Sequence, residues 1–130
     1  MFYLPWTYWG RLHTCAMERA VLQVRRMRGA AQAHLMRCGE EGFYVVKFQN
    51  NPQGQRILAN ESLGTRLAAR PGLAAPPAAA IEVREELIAH TEGLAMQLGR
   101  SRAPCRTGLQ FGSRYLGSPA ETVVFDFLPE

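Results

Sequence analysis

The pattern of apolar and polar positions divides the first half of the chain into three short strands. Apolar residues share the stretch Val21–Met27 with two arginines, which predicts a strand with one face in water. A second strand is predicted at His34–Arg37, and Phe43–Phe48 is nearly continuous in residues that favour strands. The small-residue break Gly29–Ala31 and the turn Gly39–Gly42 separate them. We therefore expect an antiparallel meander.

The pattern changes to a helical period after the turn cluster Asn50–Gly54. A helix is predicted over Gln55–Arg70, and it ends before Pro71. One stripe at helical spacing consists of Ile57, Glu61, Gly64 and Ala68. This stripe is expected to face the sheet.

The remaining segments are shorter. The sequence predicts a strand at Ala78–Val83, a short helix at Arg84–His90, a loop at Arg100–Thr107 and a strand at Gly108–Leu116, followed by the apolar segment Val123–Leu128. The order β-β-β-α-β-β predicts an α+β fold, with a mostly antiparallel sheet of about five strands and one main helix.

The first residues differ in composition from everything that follows. Residues 1–10 are rich in aromatic side chains, but they lack the basic start of a signal peptide and contain Pro5. We expect residues 1–16 to be a leader that is disordered or translated from an early start, with Met17 opening the folded domain. Deleting these residues tests that expectation.

Length and cysteine content narrow the class of protein. At 130 residues and 47% hydrophobic content, the chain is expected to form one globular domain or part of one. Three cysteines (Cys15, Cys38 and Cys105) form no CxxC pair, and an odd number is unlike a disulfide framework. No apolar run approaches the roughly 20 residues that span a bilayer. A reducing cytoplasm is the simplest prediction.

The positive charge is concentrated in one part of the chain. Five arginines stand against Glu18 alone in the basic patch: Arg19, Arg25, Arg26, Arg28 and Arg37. That local excess equals the whole net charge of +4. Such a patch suits an anionic ligand, whether a phosphate, a nucleic acid or a lipid headgroup.

One of the 15 basic residues is a lysine, Lys47, and it lies in the most strand-like segment. Arginine is a planar fork of donors, whereas lysine is a compact charge on a flexible stem. One known use of a lysine on an apolar strand is to hold nucleotide phosphates while paired with a helix glutamate. The alternative is a lysine retained by chance at a solvated strand edge.

Glu61, fourteen positions later, is the predicted partner of Lys47. A buried ammonium needs a countercharge, and the stripe places Glu61 between Ile57 and Gly64, towards the sheet. The alternative is a surface lysine and a surface glutamate that never meet.

The turn after the first strand is a second candidate site. Backbone amides in a turn of small residues can approach phosphate oxygens, because no large side chain intervenes. Gly29, Ala30 and Gln32 belong to this turn. An ordinary hairpin turn explains one glycine equally well, and His34 beside it fits a structural role better than a ligand contact.

These residues resemble the HipA-like kinase family. The resemblance covers about residues 21 to the C-terminus and is carried by RGAAQAHLMR at 28–37, YVVKFQNNPQG at 44–54, LANE at 58–61 and GLQFGSRYLG at 108–117. It implies the small lobe of a protein-kinase-like fold over residues 17–130, preceded by a leader outside the family at 1–16. Members transfer the γ-phosphate of ATP to serine or threonine.

The resemblance also implies roles for particular residues. Lys47 would hold the α- and β-phosphates of ATP and Glu61 would orient Lys47. The turn containing Gly29, Ala30 and Gln32 would replace the usual glycine-rich lid. The hinge beside the adenine would be formed by Ser113, Arg114 and Tyr115.

Phosphoryl transfer of this kind also needs two aspartates and an asparagine, which position the substrate and hold magnesium. The only aspartate in the sequence is Asp126, in an Asp-Phe-Leu run with no catalytic loop before it. We therefore expect no catalytic residue and no metal ligand here, and magnesium only together with a catalytic lobe. The 130 residues are predicted to bind ATP without transferring phosphate.

Two other functions stay open. The basic patch could bind nucleic acid with Phe43 or Tyr44 stacking on bases, although no RNA- or DNA-binding signature is present and these aromatics are needed for a core. The chain could also dock on a separate catalytic lobe or an antitoxin-like protein through an apolar underside. The expected contributors are Val123, Val124, Phe125, Phe127 and Leu128.

Overall fold

Five strands close into a small barrel in the computed structural model, which describes residues 16–40 and 42–121. Their order around the barrel is β1-β2-β3-β7-β4, and the parallel pairing of β1 with β4 closes it. Every other pairing in the barrel is antiparallel. The strands are β1 (Ala16–Arg26), β2 (His34–Cys38), β3 (Gly42–Lys47), β4 (Ala78–Val83) and β7 (Gly108–Arg114).

Two helices and a hairpin complete the described part. The main helix α1 spans Arg56–Ala69, and the short helix α2 spans Glu85–Ala89. The hairpin consists of β5 (Ala95–Leu98) and β6 (Ser101–Pro104). This architecture confirms the predicted α+β fold, with one main helix and a mostly antiparallel sheet of five strands, and it is consistent with a kinase small lobe.

The hairpin corrects the sequence-based prediction, in which Arg100–Thr107 is a loop. Ser101–Pro104 is a strand, and the two residues Gly99 and Arg100 connect it to β5. Gly99 has a φ of +64°, the left-handed conformation that short hairpin turns require. Pro104 lacks an amide hydrogen, but a proline is tolerated at the end of an edge strand. The β1 strand also begins earlier than expected, at Ala16 rather than Val21.

The core fills the barrel and extends under the hairpin. Alternation along β3 turns Tyr44 and Val46 inwards, where both are buried. Leu94 and Met96, beside and within β5, are also buried and belong to the same apolar cluster. The hairpin is therefore part of the folded core rather than an appended loop.

Several predictions concern residues that the structure does not describe. Of the expected leader, residues 1–15 lie outside the described part, and Ala16 opens β1. Val123–Leu128, including Asp126, also lies outside it. Neither helix within residues 16–40 and 42–121 is long and apolar enough to cross a membrane.

Candidate functional site

Lys47 is the last residue of β3 and lies on the outer face of the barrel. Because Tyr44 and Val46 point inwards, alternation directs Val45 and Lys47 outwards. The Lys47 side chain is 22% exposed, and its Nζ lies 2.5 Å from Glu61 Oε1. The ion pair expected from the sequence is thus present in the structure.

Glu61 reaches Lys47 from helix α1, which crosses the outer face of the sheet beside β7. The helix buries none of its residues, and the Glu61 side chain remains 38% exposed. Gly64, one turn further, has no atom within 4 Å of the position that a Cβ would occupy. Close packing therefore does not require a glycine there, and the Lys47–Glu61 pair is a main polar link between helix and sheet.

The loop Gly29–Gln32, which we call the glycine turn, joins β1 to β2. Gly29 has a φ of +124°, and the turn is closed by a hydrogen bond from Gln32 N to Gly29 O (3.1 Å). The backbone hydrogen bonds between described residues do not engage the amides of Ala30 and Ala31. These two amides are among the donors of the turn that could meet an anion.

Gln32 itself is engaged elsewhere. Its Nε2 donates to Gln97 O and its Oε1 accepts from Gln97 N, both at 2.8 Å. The side chain that the sequence analysis expects to contact ATP thus forms two hydrogen bonds to the β5 strand. The sequence analysis did not predict this contact with the backbone of Gln97, because it did not predict the hairpin that carries it.

The predicted hinge residues run from the middle of β3 towards the end opposite Lys47. Ser113 pairs with Val45 in the sheet, and Arg114 places its guanidinium carbon 5.8 Å from the centre of the Tyr44 ring. Tyr115 N donates to Phe43 O at 2.8 Å. Phe43 lies near the start of β3 and Lys47 at its end, so Arg114 and Tyr115 are separated from the ion pair by most of the strand. Ser113 lies opposite the middle of the strand.

The glycine turn, by contrast, lies near the Lys47 end. His34, the first residue of β2, pairs with Val46, so the turn that precedes β2 approaches the end of β3 where Lys47 lies. Phe43 and Lys47 are four residues apart, which is roughly 13 Å along a strand. The outer face of β3 thus has a cationic end beside the turn and an apolar end beside Tyr115.

The surroundings of His34 indicate a structural role. It is fully buried, its Nδ1 lies 2.8 Å from Gln23 Nε2, and its Nε2 lies 3.8 Å from Cys105 Sγ. Burial, assisted by the nearby Arg26, lowers the pKa of His34 to about 4. A neutral, enclosed imidazole cannot attract a phosphate, which favours the structural interpretation of this residue.

The basic patch is only partly available to an anion. Arg19 Nε donates to Glu82 Oε2 at 2.7 Å, and this hydrogen bond is the main reason that the pKa of Glu82 is lowered. Arg25, Arg26 and Arg37 are exposed. Within the described residues, no group of three histidine, cysteine, aspartate or glutamate side chains could hold a metal ion.

Comparison with known proteins gives one match. The sequence model of a family described as HipA-like kinase matches residues 20–126, most of the chain. No curated protein and no solved structure matches the chain.

Proposed function

The chain belongs to the HipA-like kinase family, and from this premise we propose that it is an ATP-binding small lobe. The observation that carries the proposal is the Lys47–Glu61 ion pair, which joins the end of a central strand to the main helix. A lysine held in this way presents a fixed positive charge to phosphate oxygens, while the glutamate keeps its stem extended. Lys47 would hold the α- and β-phosphates, and Glu61 would orient it.

The rest of the nucleotide would lie along the outer face of β3. Val45 is half-buried on the same face as Lys47 and pairs with Ser113 on one side and with the fully buried Leu35 on the other. The accessible part of the Val45 side chain, with Leu35 buried beside it, would meet the flat face of the base. The segment Ser113–Tyr115 would border the base, and the amides of the glycine turn would meet the phosphates at the opposite end.

We further propose that these 130 residues do not transfer the phosphate by themselves. Transfer needs carboxylates that position the substrate hydroxyl and hold magnesium. Asp126 is the only aspartate in the sequence, and the described residues present no metal-binding cluster. Magnesium would be held together with a catalytic lobe, which would also supply the residues that act on the serine or threonine substrate.

Calorimetric titration of Mg-ATP tests the proposal. We expect weak binding by the unaltered chain, and at least tenfold weaker binding after Lys47→Met or Glu61→Gln. Arg66→Met removes a positive charge from the exposed end of the same helix and should leave the affinity unchanged. Binding that is equally strong in Lys47→Met, with the fold preserved, would contradict the proposal.

A second candidate, docking on a catalytic lobe, is favoured by the surface of α1. Leu63 and Leu67 lie one turn apart and are 58% and 55% exposed. A helix with no buried residue and an exposed pair of leucines is typical of a surface covered by a partner. We expect the chain to self-associate as its concentration rises, and Leu63→Glu with Leu67→Glu to reduce this. A monomer at all concentrations, measured by light scattering, would count against docking.

A further inference from the structure

We propose that the β5–β6 hairpin holds the glycine turn in position for binding phosphate, and that Gln32 is the positioning residue through which it does so. The inference rests on the proposed binding of ATP at Lys47. It assigns Gln32 a role different from direct contact with the nucleotide. The hairpin would thus support the binding site without contacting the ligand.

The geometry of the hairpin explains why Gln97 is the residue that Gln32 contacts. Leu98 and Ser101 flank the two-residue connection, and Gln97 pairs with Arg102 at the next position. Residues of an antiparallel pair alternate between bonding each other and pointing their backbone groups outwards. The N–H and C=O of Gln97 therefore point away from β6, and the amide of Gln32 supplies one acceptor and one donor to them.

The hairpin can act as a support because its other end is fixed. Leu94 and Met96 are buried in the core with 1% and 0% exposure. On the opposite strand, Asn50 Nδ2 donates to Pro104 O at 2.9 Å, and Asn50 Oδ1 accepts from Arg106 N at 3.0 Å. The hairpin is thus tied both to the barrel interior and to the loop that follows Lys47.

The glycine turn has few other restraints. A Cβ on Gly29 would meet no atom within 4 Å, and Ala30 and Ala31 have only methyl side chains. Gln32 has a φ of +49°, a left-handed conformation that residues other than glycine rarely adopt. The two hydrogen bonds to Gln97 compensate for this conformation and fix where the amides of Ala30 and Ala31 point.

A positioning role predicts an effect on the phosphate end of the ligand alone. The turn approaches β3 at the Lys47 end, whereas the residues expected to border the base lie beside Phe43. Loosening the turn should therefore weaken the binding of ATP and leave the binding of adenosine unchanged. A merely structural bond would affect neither ligand, or both equally.

The test compares Gln32→Ala with Gln97→Ala. The second variant removes a side chain that donates to Gly99 O but retains the backbone groups that Gln32 contacts, so it is the matched control. We expect Gln32→Ala to weaken ATP binding at least fivefold, to leave adenosine binding unchanged, and to accelerate exchange of the residue 32 amide, which donates to Gly29 O and closes the turn. Gln97→Ala should match the unaltered chain in all three measurements.

The possible failures can be told apart. ATP binding that is lost in Lys47→Met but retained in Gln32→Ala overturns this inference and leaves the proposed function standing. The inference is also overturned if Gln32→Ala weakens ATP and adenosine binding equally, or if Gln97→Ala has the same effect as Gln32→Ala. No ATP binding by the unaltered chain overturns the inference and the proposed function together.

Discussion

Gly112 of β7 lies against Ile81 of β4 inside the barrel, so closely that a methyl group on Gly112 would overlap the Cγ1 of Ile81. The two residues are diagonal neighbours on adjacent strands, because Gly112 pairs with Ala79 and Ile81 pairs with Gln110. Ile81 is fully buried and cannot move outwards. The absent side chain at position 112 therefore makes room for the isoleucine that fills the barrel.

The first prediction is that Gly112→Ala destabilises the protein by about 1–3 kcal/mol, because overpacking forces neighbouring side chains and backbone to shift. Ile81→Ala alone is expected to cost about 2–5 kcal/mol through the cavity it leaves. The double variant should cost less than the sum of the two, since each change relieves the other. Urea unfolding measures all three, and strictly additive losses would contradict the contact.

The second prediction concerns pH. Because the pKa of His34 is about 4 in the folded state and 6.5 in the reference state, the unfolded chain binds more protons between these values. The contribution of His34 to the free energy of unfolding is therefore complete above pH 6.5, and it is lost as the pH is lowered towards 4. The shift corresponds to a loss of about 3 kcal/mol at 1.36 kcal/mol per unit.

An NMR titration of the imidazole rings checks this prediction without a substitution. The His34 ring should show no change between pH 7 and pH 5, and a protonation midpoint close to pH 6.5 would contradict it. The Cys105 thiol beside the ring does not titrate in this range, because burial raises its pKa to about 12.

The third prediction is that Cys38 and Cys105 are unreactive in the folded protein. Both are buried, and burial is the main reason that the pKa of each thiol is raised to about 12. The thiolate is the reactive form, so alkylation near pH 8 should require unfolding. Mass spectrometry of the two cysteine peptides should give labelling that rises along the urea unfolding curve. Rapid labelling of either in native buffer would contradict the described core.

The fourth prediction uses the hydroxyl of Tyr115, which is buried and has no hydrogen-bond partner among the described residues. A buried unpaired group of this kind costs about 1–3 kcal/mol. Tyr115→Phe should therefore raise the free energy of unfolding by about 1 kcal/mol, measured by urea unfolding. Tyr44→Phe is the control and should bring no such gain, because its hydroxyl is not both buried and unpaired. A loss of stability in Tyr115→Phe would mean that the hydroxyl has a partner.

Much of the fold was predictable because the barrel strands and the helix carry strong local patterns. The β-formers of Phe43–Phe48 and the helical spacing before Pro71 locate β3 and α1 from the sequence. The ion pair was also predictable. A lysine that follows apolar residues needs a countercharge, and the helix stripe that faces the sheet carries Glu61. The geometry of the pair follows from the alternation of β3.

The hairpin was not predictable in the same way. Ser101–Pro104 is polar and contains a proline, so it lacks the pattern of a strand. Its position depends on contacts far away in the sequence, from Asn50 and Gln32. The role of Gln32 could not be predicted for the same reason, because its partner belongs to an element that the local pattern does not reveal.

The parallel pairing of β1 with β4 has a consequence for folding kinetics. It joins residues 63 positions apart, from Ala16 with Ala79 to Arg19 with Glu82. The meander β1-β2-β3 needs only short loops, whereas closing a long loop has a larger entropic cost that is incurred before its contacts form. We therefore expect the barrel to close late in folding. During synthesis, β1 leaves the ribosome before β4, so the edge of β1 that pairs with β4 stays unpaired until β4 has been made.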